Sequence, residues 1–279
     1  PAIECAGVDF NDAYLLLQTL LGAWPTEGLT DSTRESFTGR IAAYMKKALR
    51  EGKERSSWTD PDAAYEQRVE ALVRHLIAGR FAEACGPLQK CAAHLGMLNS
   101  LSQTVLRLCA PGVPDTYQGT EFLDDSLVDP DNRRPVDYAA RAAALDASSD
   151  IAALLHESQI SLAKQALIAA CLRARRRHPG LFSAGSYTPA AAAGDKQRHL
   201  FAFGRASDGR RAVVAVARLF APLTPGEADQ LPVGDIWQGT TLRLPGFTGR
   251  YHNLFTGETV ESGDGAFPAK SLFTRLPFA

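Results

Sequence analysis

Through the first two-thirds of the chain, hydrophobic positions recur at helical spacing. Asp12 to Trp24 is a short apolar run closed by Pro25. Phe37, Ile41, Tyr44, Met45 and Ala48 share a segment with Arg34, Arg40, Lys46, Lys47 and Arg50, so one face packs and the other meets water. Asp60-Pro61 reads as the start of a further helix, with Asp60 as cap and Pro61 in the first turn. Its stripe is Tyr65, Val69, Leu72, Val73 and Leu76. Gly79 interrupts it, and Phe81 to about Leu95 completes a helical hairpin. Leu98–Leu108 is predicted as a separate helix, and a long one runs from about Ser158 to Arg177 before His178-Pro179-Gly180.

Two stretches break the helical pattern. Pro111, Gly112 and Pro114 stop a helix, Pro114–Gln118 has room only for a short strand, and Gly119 ends it. Leu123–Tyr138 is a polar loop with Pro130 and Pro135 fixing its backbone. From about Gly185 the period shortens to that of strands. Residues 198–206 and 209–219 flank Ser207-Asp208-Gly209, a hairpin signal. Residues 240–246, 249–260 and 271–278 follow, with turns at Thr256-Gly257 and Gly263-Asp264-Gly265. Short antiparallel strands at this spacing predict a sandwich or barrel.

Composition narrows the partners. The 279 residues carry 45% hydrophobic and 22% charged side chains and a net charge of -1. That is a globular composition, without the positive field of a nucleic-acid binder. No apolar run reaches the about 18 residues of a membrane span, so neither nucleic acid nor membrane is an expected partner. Cys5, Cys85, Cys91, Cys109 and Cys171 have neither C-x-x-C nor zinc-site spacing and read as free thiols in a reducing cytoplasm. No metal or cofactor is expected. The chain begins with Pro1, which reads as part of something longer.

Candidate chemistry is sparse. Lys46, Lys47, Arg50, Lys53 and Arg55 form either an anion site or, with Glu51 and Glu54 among them, a solvated helix face; the second reading is favoured. Arg173, Arg175, Arg176 and Arg177 suit the negative end of their own helix. Asp124, Asp125, Asp129 and Asp131 read as turn formers, and His75 and His94 as structural residues. Trp58 is more readily a packing plug beside a helix cap than a stacking platform for a ligand. No nucleophile elbow and no phosphate loop is present.

Helix, short strand, polar loop and long helix are the order expected at the end of a (β/α)8 barrel. Residues 111–121 resemble the eighth barrel strand of the α-amylase family of glycoside hydrolases, through Gly112, Pro114, Tyr117, Gly119 and Glu121. Residues 129–138 resemble the loop that the family holds over its substrate cleft. Residues 14–25, 44–66, 127–138 and 178–189 resemble one branch of that family, the maltooligosyltrehalose synthases. The resemblance implies an α+β chain: a helical region, 1–180, with the last strand/helix unit of a TIM-type barrel, then an antiparallel β-sandwich, 185–279. It also implies an intramolecular transglucosylase, an isomerase that turns the reducing-end α-1,4 link of a maltooligosaccharide into an α,α-1,1 trehalose link.

The family's local patterns around its catalytic carboxylates have no match here, so no catalytic residue is expected in this chain. They would belong to an N-terminal portion, the expected partner besides a maltooligosaccharide. Tyr117 and Gln118 remain as sugar contacts or barrel packing. Arg133 and Arg134 either hold sugar hydroxyls or form ion pairs with Asp129, Asp131 or Asp137. Two readings compete. One is a different α-amylase-type hydrolase or transferase. The other is a non-catalytic carbohydrate-binding module with Trp237, Tyr251 and Phe255 in a row, though alternation makes these core positions more readily.

Overall fold

The computed structural model describes residues 7–79, 81–145, 150–224 and 230–279. Cys5 lies outside them. The chain divides into two compact units, one of residues up to 93 with 125–135, the other of 94–124 with 136–279. Helices and strands after residue 94 share one core.

In the first unit, Asp9 caps α1 (Phe10–Ala23) by accepting from the N–H of Asn11, and Trp24 leads out in an extended conformation towards Pro25. Thr30 and Thr33 form a reciprocal cap at the start of α2 (Asp31–Gly52). The next helix, α3 (Ala63–Ala78), begins two residues later than its sequence signal, at Asp62, whose carboxylate accepts from the N–H of Tyr65. Asp60 is engaged instead in a turn with Ser57, its N–H donating to Oγ at 2.8 Å. Leu16, Leu20, Ile41, Met45, Val69 and Val73 are buried together, and Leu127 of the later loop packs against them.

The basic run of α2 is neither an anion site nor a simply solvated face. Arg50 grips Glu66 with two bonds, at 2.7 and 2.8 Å, Ser56 adds one at 2.6 Å, and the Lys46 ammonium lies 3.5 Å away. Arg55 pairs with Asp9 at 2.5 Å. Trp58 is not a plug: it is 58% exposed, with the Arg50 guanidinium 5.1 Å from its ring centre. The bonds from Arg50 outweigh the opposing effect of burial and, with Ser56, draw the Glu66 pKa down to about 2. The resulting stabilisation is complete above the unfolded carboxylate's pKa, near 4.5, and is lost as pH falls through about 2. Glu66→Gln is expected to cost about 1.5–3 kcal/mol near neutral pH and to flatten the acid limb. Urea titrations at neutral and acid pH check this; parallel pH profiles for both proteins would contradict it.

The second unit begins within α4 (Phe81–Cys109), one continuous helix where two were expected. A single Gly96 costs a helix only about 1 kcal/mol, and burial of Leu98, Leu101, Val105 and Leu108 continues the stripe past it. Short Ala-rich α5 (Tyr138–Leu145) and α6 (Ile151–His156) precede α7 (Ile160–Arg177) and α8 (Pro179–Ser183). Arg175 serves the end of α4 and not of its own helix, donating to Leu108 O and Gly112 O at 2.8 Å each.

The strands form three small antiparallel sheets. The first joins β1 (Ser186–Pro189), β3 (Leu200–Ser207) and β4 (Arg210–Ala217) in the order β1-β3-β4, with β2 (Ala191–Ala193) belonging to the second. The second has the order β2-β5-β8, with β5 (Thr241–Arg243) and β8 (Ala266–Pro268); β6 (Gly249–His252) pairs with β7 (Thr259–Ser262). Asp208 and Gly209 both take positive φ, 49° and 74°, and so close the β3–β4 hairpin as expected. Residues 271–278 do not form the expected strand. They open in α9 (Ala269–Leu272) and continue irregularly, with Phe273, Leu276 and Phe278 buried and one bridge from Phe278 to Val216. Periodicity alone does not tell such an apolar run from a strand.

One core holds this unit. Val105, Leu108, Leu167 and Cys171 from the helices meet Phe203, Val216, Trp237 and Phe267 from the strands and loops. Cys109 and Cys171 are buried free thiols with sulfurs 4.0 Å apart, while Cys85 and Cys91 are half-buried. No barrel is closed among the described residues, and residues 114–118 form no paired strand. A strand is defined by its hydrogen-bonded neighbour, and these residues have none here.

Candidate functional site

Past α4 the backbone of 112–124 is held in place by side chains of the helices around it. Arg107 donates to Asp115 O and, at 2.7 Å, to Thr116 Oγ1. Tyr117 O accepts from both N–H and Oγ1 of Thr120, at 3.1 and 2.7 Å. Gly119 inside this turn has φ 86°, and a Cβ there would lie 3.0 Å from Val136 Cγ2. Both the backbone conformation and the space demand glycine. Arg141 then donates to Gly119 O at 2.5 Å, lies 3.4 Å from Glu121 and sits 4.5 Å from the Phe122 ring centre.

This turn leaves Tyr117 and Gln118 outward. Tyr117 is 45% exposed, Gln118 is exposed too, and neither side chain has a hydrogen-bond partner among the described residues. Beside them lies a cleft of about 380 Å3, lined by Ser100, Gln103, Thr104 and Arg107 of α4, Asp115, Thr120, and Lys164 of α7. Every lining side chain is polar. Lys164 donates to Phe122 O at 3.0 Å, and burial pulls its pKa down against the attraction of Asp124 and Glu121. A hydroxyl-rich ligand meets both donors and acceptors there.

Arg133 and Arg134 belong to the first unit, whereas Tyr117 and Gln118 belong to the second. Arg133 donates to Asp129 at 2.9 Å, and Arg134 lies 3.2 Å from Asp131 and donates to Ser126 Oγ at 2.8 Å. The internal ion pairs are therefore formed. They leave the side chains 67% and 52% exposed, with guanidinium N–H groups still directed to solvent.

The loop beneath them is fixed to α2. Arg40 grips Asp131 with two bonds of 2.9 Å, and Lys47 donates to Asp129 O at 2.6 Å. Lys47 holds the Asp129 carboxyl below its ordinary pKa. Burial pushes Asp131 upward, but Arg40 and the Leu127 N–H outweigh it and keep that carboxyl low as well. Sequence reasoning missed Arg40 and Lys47 as supports. The signal was present in cations on α2 facing carboxylates in a distant loop, but spacing does not assign partners.

The aromatic row of a binding module is not formed. Trp237 is fully buried with Nε1 donating to Pro232 O, and half-buried Tyr251 and Phe255 pack edge-on to Phe267 and Phe278. His75 is exposed and His94 half-buried. Among the described residues no group of three or more His, Cys, Asp or Glu is placed to hold a metal. No helix there is long and apolar enough to cross a membrane.

No family model matches the chain. It is 38% identical over 272 residues, 96% of its length, to proteins of Mycobacterium tuberculosis strains CDC 1551 / Oshkosh and H37Rv that bear the name maltooligosyl trehalose synthase. Among solved structures, maltooligosyltrehalose synthase from Arthrobacter ramosus matches with TM-score 0.72 and 32% identity over 96% of this chain and 32% of that one. A further maltooligosyl trehalose synthase structure matches with TM-score 0.72 and 26% identity over 97% of this chain and 33% of that one. The chain spans about a third of the length of the relatives it matches, 31% of the curated ones. In sequence and in fold, and over nearly all its length, the chain matches the C-terminal portion of maltooligosyltrehalose synthases.

Proposed function

We propose that the chain serves in a maltooligosyltrehalose synthase, which isomerises the reducing-end α-1,4 link of a maltooligosaccharide to an α,α-1,1 link in trehalose biosynthesis. The similarity over 96% of the chain to proteins of that name carries this reading. Residues 1–180 then represent a helical insertion and the C-terminal end of the (β/α)8 barrel, and 185–279 a terminal β-sandwich domain. The strand at Pro114–Gln118 acquires its neighbours only when the rest of the barrel is present. The catalytic carboxylates lie in the N-terminal portion, the chain's partner, and the enzyme works in the cytoplasm without a cofactor.

This chain supplies sugar contacts. Tyr117 offers a stacking face and Gln118 an amide at the C-terminal end of the barrel strand, where such folds place their chemistry. Arg133 and Arg134 offer donors from a loop that Arg40 and Lys47 hold still, and a fixed donor loses little entropy on binding. Arg133→Ala or Arg134→Ala in the complete enzyme is expected to lower kcat/KM for maltopentaose at least about tenfold, a loss of roughly 1.4 kcal/mol of transition-state binding. Unchanged kinetics in both variants would remove the loop from the site.

A further inference from the structure

We infer that Cys109 and Cys171 are an oxidation site, where hydrogen peroxide converts two thiols to a reversible disulfide. Cys109 is the last residue of α4 and Cys171 lies within α7. Their sulfurs are 4.0 Å apart, although 62 positions separate them in sequence. A disulfide needs about 2.05 Å, so each sulfur has to approach the other by about 1 Å. A sulfur moves farther than that between staggered rotamers.

A buried thiol in apolar surroundings is ordinarily inert. Cys109 differs because it lines a pocket of about 510 Å3 among α4, α7, α8, β4 and the β6–β7 hairpin. Hydrogen peroxide is little larger than water and enters such a space. Cys171 is not among the lining residues, so one sulfur meets the oxidant and the other stands behind it. Two guanidiniums sit at the end of α4: Arg205 donates to Cys109 O at 3.2 Å and Arg175 to Leu108 O at 2.8 Å. Cations beside a cysteine favour its thiolate, the reactive form. The contact with Cys171 draws the Cys109 thiol below its ordinary pKa against the effect of burial, and both arginines add to it. The same contact and burial push Cys171 up. Cys85 and Cys91 are six residues apart on α4, so they project about 120° apart around it and cannot bridge.

The chemistry closes on these two sulfurs. The Cys109 thiolate attacks one peroxide oxygen, the O–O bond breaks, and a sulfenic acid forms. The departing hydroxide takes up the proton that Cys109 released and leaves as water. The Cys171 sulfur then attacks the sulfenic sulfur, gives up its proton, and expels a second water. Two thiols and one hydrogen peroxide thus give one disulfide and two waters, with sulfur oxidised and peroxide oxygen reduced. The bridge ties α4 to α7, on either side in sequence of the segment that carries Tyr117 and Gln118.

The test exposes the reduced 279-residue chain to hydrogen peroxide, quenches it in acid and alkylates it in denaturant for peptide mass spectrometry. The Cys109 and Cys171 peptides are expected to become joined, with loss of two hydrogens, and dithiothreitol is expected to separate them. Joining is expected at least about tenfold faster than oxidation of Cys85 or Cys91. In Cys171→Ala, dimedone is expected to trap a sulfenic acid on Cys109; in Cys109→Ala, Cys171 is expected to stay a thiol. Cys109 and Cys171 peptides that stay unjoined in the parent chain overturn the proposal, whatever becomes of Cys85 and Cys91. Dimedone on Cys171 in the Cys109→Ala chain overturns the assigned order of attack.

Discussion

Arg205→Met is expected to destabilise the second unit by about 4 kcal/mol and to lower its melting temperature by about 10 °C. Arg205 stands in β3 with no measurable exposure. Its Nε donates to Ser186 O at 3.0 Å, Nη1 to Cys109 O at 3.2 Å, and Nη2 to Phe182 O and Gly185 O at 3.0 and 2.9 Å. Burial lowers its pKa and neighbouring Arg175 lowers it further, yet arginine stays charged at any ordinary pH. It has no carboxylate partner among the described residues; its counter-charge is a ring of carbonyls, among them the last of α4.

The C-terminal ends of helices carry partial negative charge, which suits this cation. Methionine fills similar space but leaves four acceptors unpaired, at about 1–3 kcal/mol for each unsatisfied group. Removing the charge also returns the cost of burying it, so the net loss stays well below the sum. Arg205→Lys keeps the charge without the fork and is expected to fall between the two. Urea denaturation measures all three; a methionine variant within about 1 kcal/mol of the parent would mean that the carbonyls find other partners.

The chain by itself is expected to form no trehalose-ended product from maltopentaose. Retaining glycoside chemistry needs two carboxyls about 5–5.5 Å apart, one with a raised pKa to act as acid. Every carboxyl with a shifted pKa here, Glu66, Asp129, Asp131 and Asp150, is held low, the opposite of what a proton donor needs. Asp129 and Asp131 are further occupied by Lys47 and Arg40. The isomerisation also requires the freed glucose to turn within a site closed to water, or hydrolysis takes over. Incubating purified chain with maltopentaose and following loss of reducing ends checks this. Steady formation of the non-reducing product would mean that the catalytic carboxyls are within these residues.

What the sequence made legible was local. The stripe Tyr65 to Leu76, the stop at Pro25 and the Asp208-Gly209 hairpin need only neighbours in sequence, and all three are present. Elsewhere residue type alone does not decide the outcome. Asp60 reads as a cap, but its N–H is engaged by Ser57 three residues before it, and residues 271–278 read as a strand, but pack through buried Phe273 and Phe278 with a single bridge, Phe278 to Val216. The role of Arg175 was placed on its own helix because its acceptors, Leu108 and Gly112, lie more than sixty residues earlier. At the candidate site the pattern indicated Tyr117, Gln118, Arg133 and Arg134, but not the Arg40 and Lys47 that fix the loop. Single-sequence reading sees residue types, and a salt bridge across ninety-one positions leaves no trace in spacing.

That same span sets an order of events on the ribosome. Arg40 meets Asp131, and Lys47 meets Asp129, only after the intervening chain has been made. At about 5–20 residues per second, a separation of 91 residues takes on the order of 5 to 20 seconds. Until then Arg40 lacks Asp131, Lys47 has only Glu51 of its own helix, and the place of Leu127 is unfilled. The first unit is therefore not finished by its own N-terminal segment. Its completion waits on a loop synthesised after α4, so translation has already entered the second unit before the first is closed.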